Sequence, residues 1–194
     1  MNWRYIVSLL ILIFLTITWD ARSTNAQVDT GFPQKPSIRR KILSTIKTRL
    51  PQKHKRFAYS IARTITEQSA DYKLDPLIVT AVIAGESSFN PDAVGPMGEI
   101  GLMQLRSSTA EWIARTKNLP WPGKKSLKDP LINIQLGMAY LHFLYEKLGN
   151  RGGYLYLAAY NMGLGSVQRH LANNVHPRIY SNHVMSRYIT LSGI

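Results

Sequence analysis

Apolar residues recur along most of the chain at helical spacing. Ile38, Ile42, Ile46 and Leu50 fall at four-residue steps with Leu43 beside them, which predicts a helix over residues 37–50. Its other faces carry Arg39, Arg40, Lys41, Lys47 and Arg49. Phe57, Ile61 and Ile65 repeat the pattern and predict a second helix over 56–74. A third, over 74–89, opens on Asp75, which can accept from its first-turn amides, and on Pro76, which suits the first helical position. It runs through apolar residues to Glu86 and is stopped by Asn90-Pro91. Residues 95–101 form a glycine-rich bend, and Ser107 or Ser108 can cap a helix around 110–116. Asp129-Pro130 repeats the cap-and-proline device and opens a long helix to Leu148, broken by Gly149 and Gly152-Gly153. Two shorter helices follow, separated by Gly163-Leu164-Gly165, and a last one spans 180–191. No segment alternates with period two and no repeat is visible. The expected fold is all-α, with at most a short β-hairpin near Gly95 to Gln104.

The N-terminus departs from this pattern. Arg4 precedes an apolar run from Ile6 to Trp19, broken only by Ser8, Thr16 and Thr18, and Thr24 and Ala26 supply small residues behind it. The run is shorter than the ~18 residues of a membrane span. Residues 1–26 therefore read as a signal peptide, with an uncleaved inner-membrane anchor as the alternative. Residues 27–55 read as a linker with the basic helix, and 56–194 as one domain. The expected location is exported and periplasmic.

The 194 residues suit a single core, and the absence of cysteine removes any disulfide framework or thiol nucleophile. A net charge of +13 favours polyanions. Export argues against nucleic acid and for an acidic wall or membrane surface.

Glu86 carries the chemistry. It stands near the C-terminal, negative end of a helix, after apolar surface, and both circumstances disfavour its charged form. A carboxyl still protonated near neutral pH can donate to a leaving oxygen. The plainer reading is a half-exposed helix-end glutamate. The five histidines lack metal-ligand spacing, so neither a metal nor a cofactor is expected. Met97, Met103, Met138 and Met162 read as core or cleft fillers.

Three blocks, ESSFNPDAV…GEIGLMQL, DPLINIQLGMAYL and AYNMGLGSV, occur in that order, and with the helix before Glu86 they cover residues 74–167. This ordered set resembles the lytic transglycosylases of the SLT type, which share a lysozyme-like fold with goose-type lysozymes. The resemblance implies Glu86 as the catalytic acid. It implies Gln104, with Met103 of the same motif, and Tyr160 and Asn161 as substrate-binding residues, the tyrosine bonding near the catalytic carboxyl. It implies a wall substrate, peptidoglycan glycan strands cut at MurNAc–GlcNAc links. Glu86 would protonate the glycosidic oxygen, then act as base while the sugar's own 6-hydroxyl attacks, leaving a 1,6-anhydro end. Compact members often serve a secretion or conjugation apparatus, a role set here against general wall turnover.

Two departures stand out: Gly95 replaces a frequent serine, and Glu99 replaces a frequent small residue. A second carboxylate opens a lysozyme-type hydrolysis in which Glu99 activates water. The simpler expectation is that Glu99 faces solvent or raises the pKa of Glu86 by repulsion. A glycan-binding protein on an enzyme scaffold is a further alternative. Tyr188, in the closing helix, reads as a packing tyrosine.

Overall fold

The computed structural model describes residues 36–149 and 154–193. The leader, most of the linker and the Gly152-Gly153 break lie outside the described residues. Helix α1 (Pro36–Arg49) leads through a 3-10 turn (Gln52–Phe57) into α2 (Ala58–Asp71) and α3 (Pro76–Glu86). After a long turn region come α4 (Ser107–Lys117), a 3-10 turn (Lys124–Lys128) and α5 (Pro130–Leu148). Helices α6 (Leu155–Met162), α7 (Leu164–Ala172) and α8 (Ile179–Ser192) complete the order.

The two Asp-Pro cap signals act as read, whereas neither Ser107 nor Ser108 caps: α4 starts at Ser107 itself, behind Arg106, with no side-chain cap bond. Asp75 Oδ1 accepts from the Leu77 amide at 2.7 Å, and Asp129 Oδ1 accepts from Leu131 and Ile132 at 2.8 and 3.2 Å. Other local expectations shift. The third helix stops at Glu86 and not at Asn90-Pro91, because Ser88 and Phe89 are left-handed. The second helix starts later, because residues 52–57 wind as a 3-10 turn. The glycine-bounded break before α7 narrows to Gly163, whose φ of 85° ends one helix and opens the next. The expected hairpin is reduced to two isolated antiparallel bridges, Val94–Ile100 and Ile100–Leu105.

Helix α3 is apolar on every side, and residues 76–83 are all buried. A helix of that composition has to sit inside the molecule. It packs most extensively against α8, and also against α2 and α1. Ile42, Ile46, Ile61 and Ile65 close the same core, each fully buried side chain contributing about 1.5–3 kcal/mol. A smaller apolar cluster holds Ile100, Leu105, Ile113 and Leu127 beneath α4. Helix α5 supplies both, Met138 and Leu141 to the first and Leu136 and Ala139 to the second. The two clusters thereby flank the residues that follow Glu86.

Candidate active site

Glu86 is the last residue of α3. The chain then turns through Ser87 and two left-handed residues, Ser88 (φ 51°) and Phe89 (φ 66°). Non-glycine residues rarely adopt this conformation, so the turn must be held from outside. Phe89 is fully buried, and Ser87 Oγ donates to the Leu102 carbonyl at 2.8 Å. The end of α3 is thus fastened to the GEIGLMQ turn.

That turn is organised by Asn133 of α5, which is fully buried. Its Nδ2 donates to the carbonyls of Ile100 and Leu127 at 2.8 and 3.0 Å, and its Oδ1 accepts from the Met103 amide at 2.7 Å. The close approach needs Gly101: a Cβ there would meet Asn133 Nδ2 and the Leu127 carbonyl at 2.4 Å, and φ is +82°. Gln104, itself left-handed at φ 47°, donates Nε2 to the carbonyls of Gly101 and Ala93 at 2.9 and 3.2 Å.

These constraints open a cleft of about 460 Å³ lined by Glu86, Glu99, Gln104, Tyr140, Tyr160 and Asn161, with Met97, Met162 and Gly163 at its margins. Five of the six residues expected at the site meet there. Met103 does not: it is fully buried, and its sulfur fills the space left by Gly137, where a Cβ would lie 2.4 Å away. Gln104, in the left-handed region, faces the cleft, while the apolar side chain of Met103 joins that of Leu102 in the core. Its backbone still serves the site, because the Met103 carbonyl accepts from Tyr160 Oη at 2.7 Å. Tyr160 therefore braces the GLMQ turn.

The tyrosine that bonds Glu86 is Tyr180, which donates its hydroxyl to Glu86 Oε1. Sequence reading left it without a role. A signal existed: Tyr180, Val184 and Tyr188 stand at four-residue steps on α8. Val184 is buried, Tyr180 reaches the carboxylate at the end of α3, and Tyr188 Oη donates to Asp75 at its start, 3.1 Å away. Tyr188 is a packing tyrosine, and Tyr180 is its counterpart at the site. Asn133 was missed as well.

Burial pushes the Glu86 pKa up. The Tyr180 hydroxyl opposes this by bonding the charged form, the negative charge of Glu99 adds to it, and the guanidinium of Arg187 opposes it; the net shift is upward. Glu99 moves the other way. Desolvation would raise it, but hydrogen bonds from its own amide, from Arg106 and from the Met97 amide outweigh that, so its pKa is lowered. Arg106 Nε lies 2.9 Å from Oε1 and the Met97 amide 2.9 Å from Oε2. The two departures of sequence are also one local solution. A Cβ on Gly95 would lie 2.7 Å from Glu99 Oε2 and 2.8 Å from Gln104 Oε1, so the Glu99 carboxylate occupies the room beside the glycine. The cleft thus holds one carboxyl shifted toward its protonated form and one shifted toward its charged form, an arrangement suited to proton transfer onto a leaving oxygen.

Among the described residues no group of three or more His, Asp or Glu is placed to hold a metal. No helix among them is long and apolar enough to cross a membrane.

The family model described as the transglycosylase SLT domain matches residues 63–182. The soluble lytic murein transglycosylase of Salmonella typhimurium is 36% identical over 95 residues, which is 48% of this chain and 15% of that protein. Its counterpart in Escherichia coli K12 gives the same figures. Among solved structures, an inactive Glu-to-Gln mutant of the lytic transglycosylase Slt from Pseudomonas aeruginosa superposes with a TM-score of 0.63 at 27% identity, over 72% of this chain and 25% of that one. The 70 kDa soluble lytic transglycosylase of Escherichia coli gives 0.62 at 26% identity, over 76% and 26%. The same enzyme in complex with bulgecin A gives 0.56 at 30% identity, over 62% and 19%. The chain spans a quarter or less of the length of most of these relatives, and the matched stretch runs from α2 through the residue that bonds Glu86. The chain belongs to the transglycosylase SLT domain family.

Proposed function

We propose that this chain is an exported lytic transglycosylase that cleaves MurNAc–GlcNAc bonds in peptidoglycan, with Glu86 as the sole acid and base. The observation that carries the reading is a desolvated carboxyl at the end of α3, bonded by Tyr180 and facing a polar cleft. Protonated Glu86 donates to the glycosidic oxygen as the C1–O bond breaks. The resulting carboxylate takes the proton of the same sugar's 6-hydroxyl, whose oxygen bonds to C1. No water is consumed and the acid is regenerated. Gln104 Oε1 and Asn161 orient the sugar, and Tyr160 keeps the GLMQ turn in place. The family match supports this reading, as do relatives named for murein lysis and a structural neighbour inactivated by a Glu-to-Gln change.

Hydrolysis with Glu99 as base is the second reading, favoured by its lowered pKa and its place in the cleft. Against it, both Glu99 oxygens are already engaged by Arg106 and the Met97 amide. Mass spectrometry of products from purified sacculi separates the two. Anhydro-ended muropeptides, one water lighter than hydrolytic ones and lost in Glu86→Gln, are the expected result; reducing-end products move the case to hydrolysis.

Export through residues 1–26 and local wall opening for a secretion or conjugation apparatus complete the proposal. A deletion strain with normal secretion and conjugation contradicts the second part.

A further inference from the structure

The charge of this molecule is concentrated in one stretch. Residues 37–66 hold nine Lys/Arg and no Asp or Glu, whereas residues 67–194 hold twelve against nine. The structure gathers the stretch on one surface. α1 turns Ile42, Ile46 and Leu50 inward, and leaves Arg39, Arg40, Lys47 and Arg49 exposed. The following turn adds exposed Arg56. Lys55 Nζ donates to the Lys47 carbonyl, and Lys47 Nζ sits 5.0 Å over the ring of Tyr59, so α1, the turn and the start of α2 form one continuous face. Among the described residues those five cations have no carboxylate partner. The carboxylates that reach the edge of the face are Asp92, on Lys53 and His54 at 2.6 and 2.8 Å, and Glu67, on Arg63 at 2.8 Å.

We propose that this face docks on an anionic phospholipid surface. Charge alone would suit any polyanion, and two observations select lipid. Tyr59 is 62% exposed in the middle of the cations, an apolar ring with a polar tip where a lipid headgroup layer accepts both. The apolar run also ends at Trp19, and Pro36, where α1 begins, is the seventeenth residue beyond it. Kept as the uncleaved anchor, the run would hold α1 within about 60 Å of its bilayer, at ~3.3–3.6 Å per extended residue. Docking also orients the cleft. Asp92 ties the face to the segment after Glu86, and the Ala93 carbonyl beside it accepts from Gly101 and Gln104, so face and cleft are joined through direct bonds.

The test is cosedimentation of the full chain with vesicles of phosphatidylcholine alone and of equal parts phosphatidylglycerol and phosphatidylcholine. The apolar run contributes to both, so the ratio of the two partition coefficients reports the basic face. At about fivefold per cation near an anionic surface, the combined Arg39→Gln, Arg40→Gln, Lys47→Gln and Arg49→Gln variant is expected to lower that ratio at least about 50-fold. The matched control Lys124→Gln, Lys125→Gln, Lys128→Gln and Arg178→Gln removes the same charge and is expected to lower it less than about fivefold. Tyr59→Ala is expected to reduce binding about threefold, including at high salt where the cations are screened. Equal losses in the two charge variants overturn the proposal. So does a face variant that keeps its vesicle binding and loses binding to purified sacculi, which would assign the face to a wall polymer. Thermal melts by circular dichroism, expected to be unchanged, confirm that both variants fold.

Discussion

The two carboxylates of the cleft differ only in their surroundings, and the surroundings move them apart. Glu86 ends a helix whose first eight residues are all buried, meets the negative end of its dipole, and is bonded by one phenol. Glu99 stands in a turn whose own amides and Arg106 point at it. One is raised and the other lowered. Residue type alone assigns neither role; desolvation makes an acid and donated hydrogen bonds make a fixed charge.

The largest test of that contrast is Glu86→Gln. Loss of a general acid is expected to reduce turnover of sacculi by about 10²–10⁴. Stability is expected to move in the opposite direction. Because the folded state holds the Glu86 proton more tightly than the unfolded chain, ionisation costs stability as pH rises above the ordinary glutamate value of 4.5. The variant should therefore melt higher than the parent near neutral pH, with the gap closing near pH 4 in scanning calorimetry. A gap independent of pH would contradict the desolvation account.

Next comes the scaffold. Gly101→Ala places a Cβ against Asn133 Nδ2 and the Leu127 carbonyl at a φ of +82°. Urea denaturation is expected to show a loss of about 2–4 kcal/mol. A change below about 0.5 kcal/mol would show that the turn before Gln104 is less constrained than its contacts imply.

Tyr180→Phe sharpens the role of the phenol. Removing the bond to the charged form raises Glu86 further, so the alkaline limb of the kcat/KM profile should shift to higher pH, with kcat down about tenfold. Glu99→Gln is expected to have the smallest effect, a few-fold in kcat. It removes a negative charge that helps hold the Glu86 proton, so the same limb should shift to lower pH. Opposite shifts in these two variants are the signature of the contrast. A complete loss of activity in Glu99→Gln would make Glu99 a reacting group.

The backbone plan was legible because its signals are local. Asp75-Pro76 and Asp129-Pro130 cap helices within two or three residues, and the isoleucine steps of α1 and α2 bury the face they mark. Glu86, Gln104, Tyr160 and Asn161 were legible through motifs adjacent in sequence. Tyr180 was not, because its partner lies 94 positions away, and neither was Asn133, whose bonds span up to 33. Met103 was misplaced because a motif marks the turn and not the side of it that each side chain takes. The coupling of Gly95 with Glu99 shows only in three dimensions, where one residue's missing Cβ is the other's room.

The most direct measurement is the carboxyl chemical shift of Glu86 followed by carbon NMR against pH, in the parent and in Tyr180→Phe. The account requires titration above the ordinary glutamate range in the parent, and higher again when the phenol is removed. Titration at or below that range, or a downward move in Tyr180→Phe, would contradict the claim that desolvation holds the proton on Glu86.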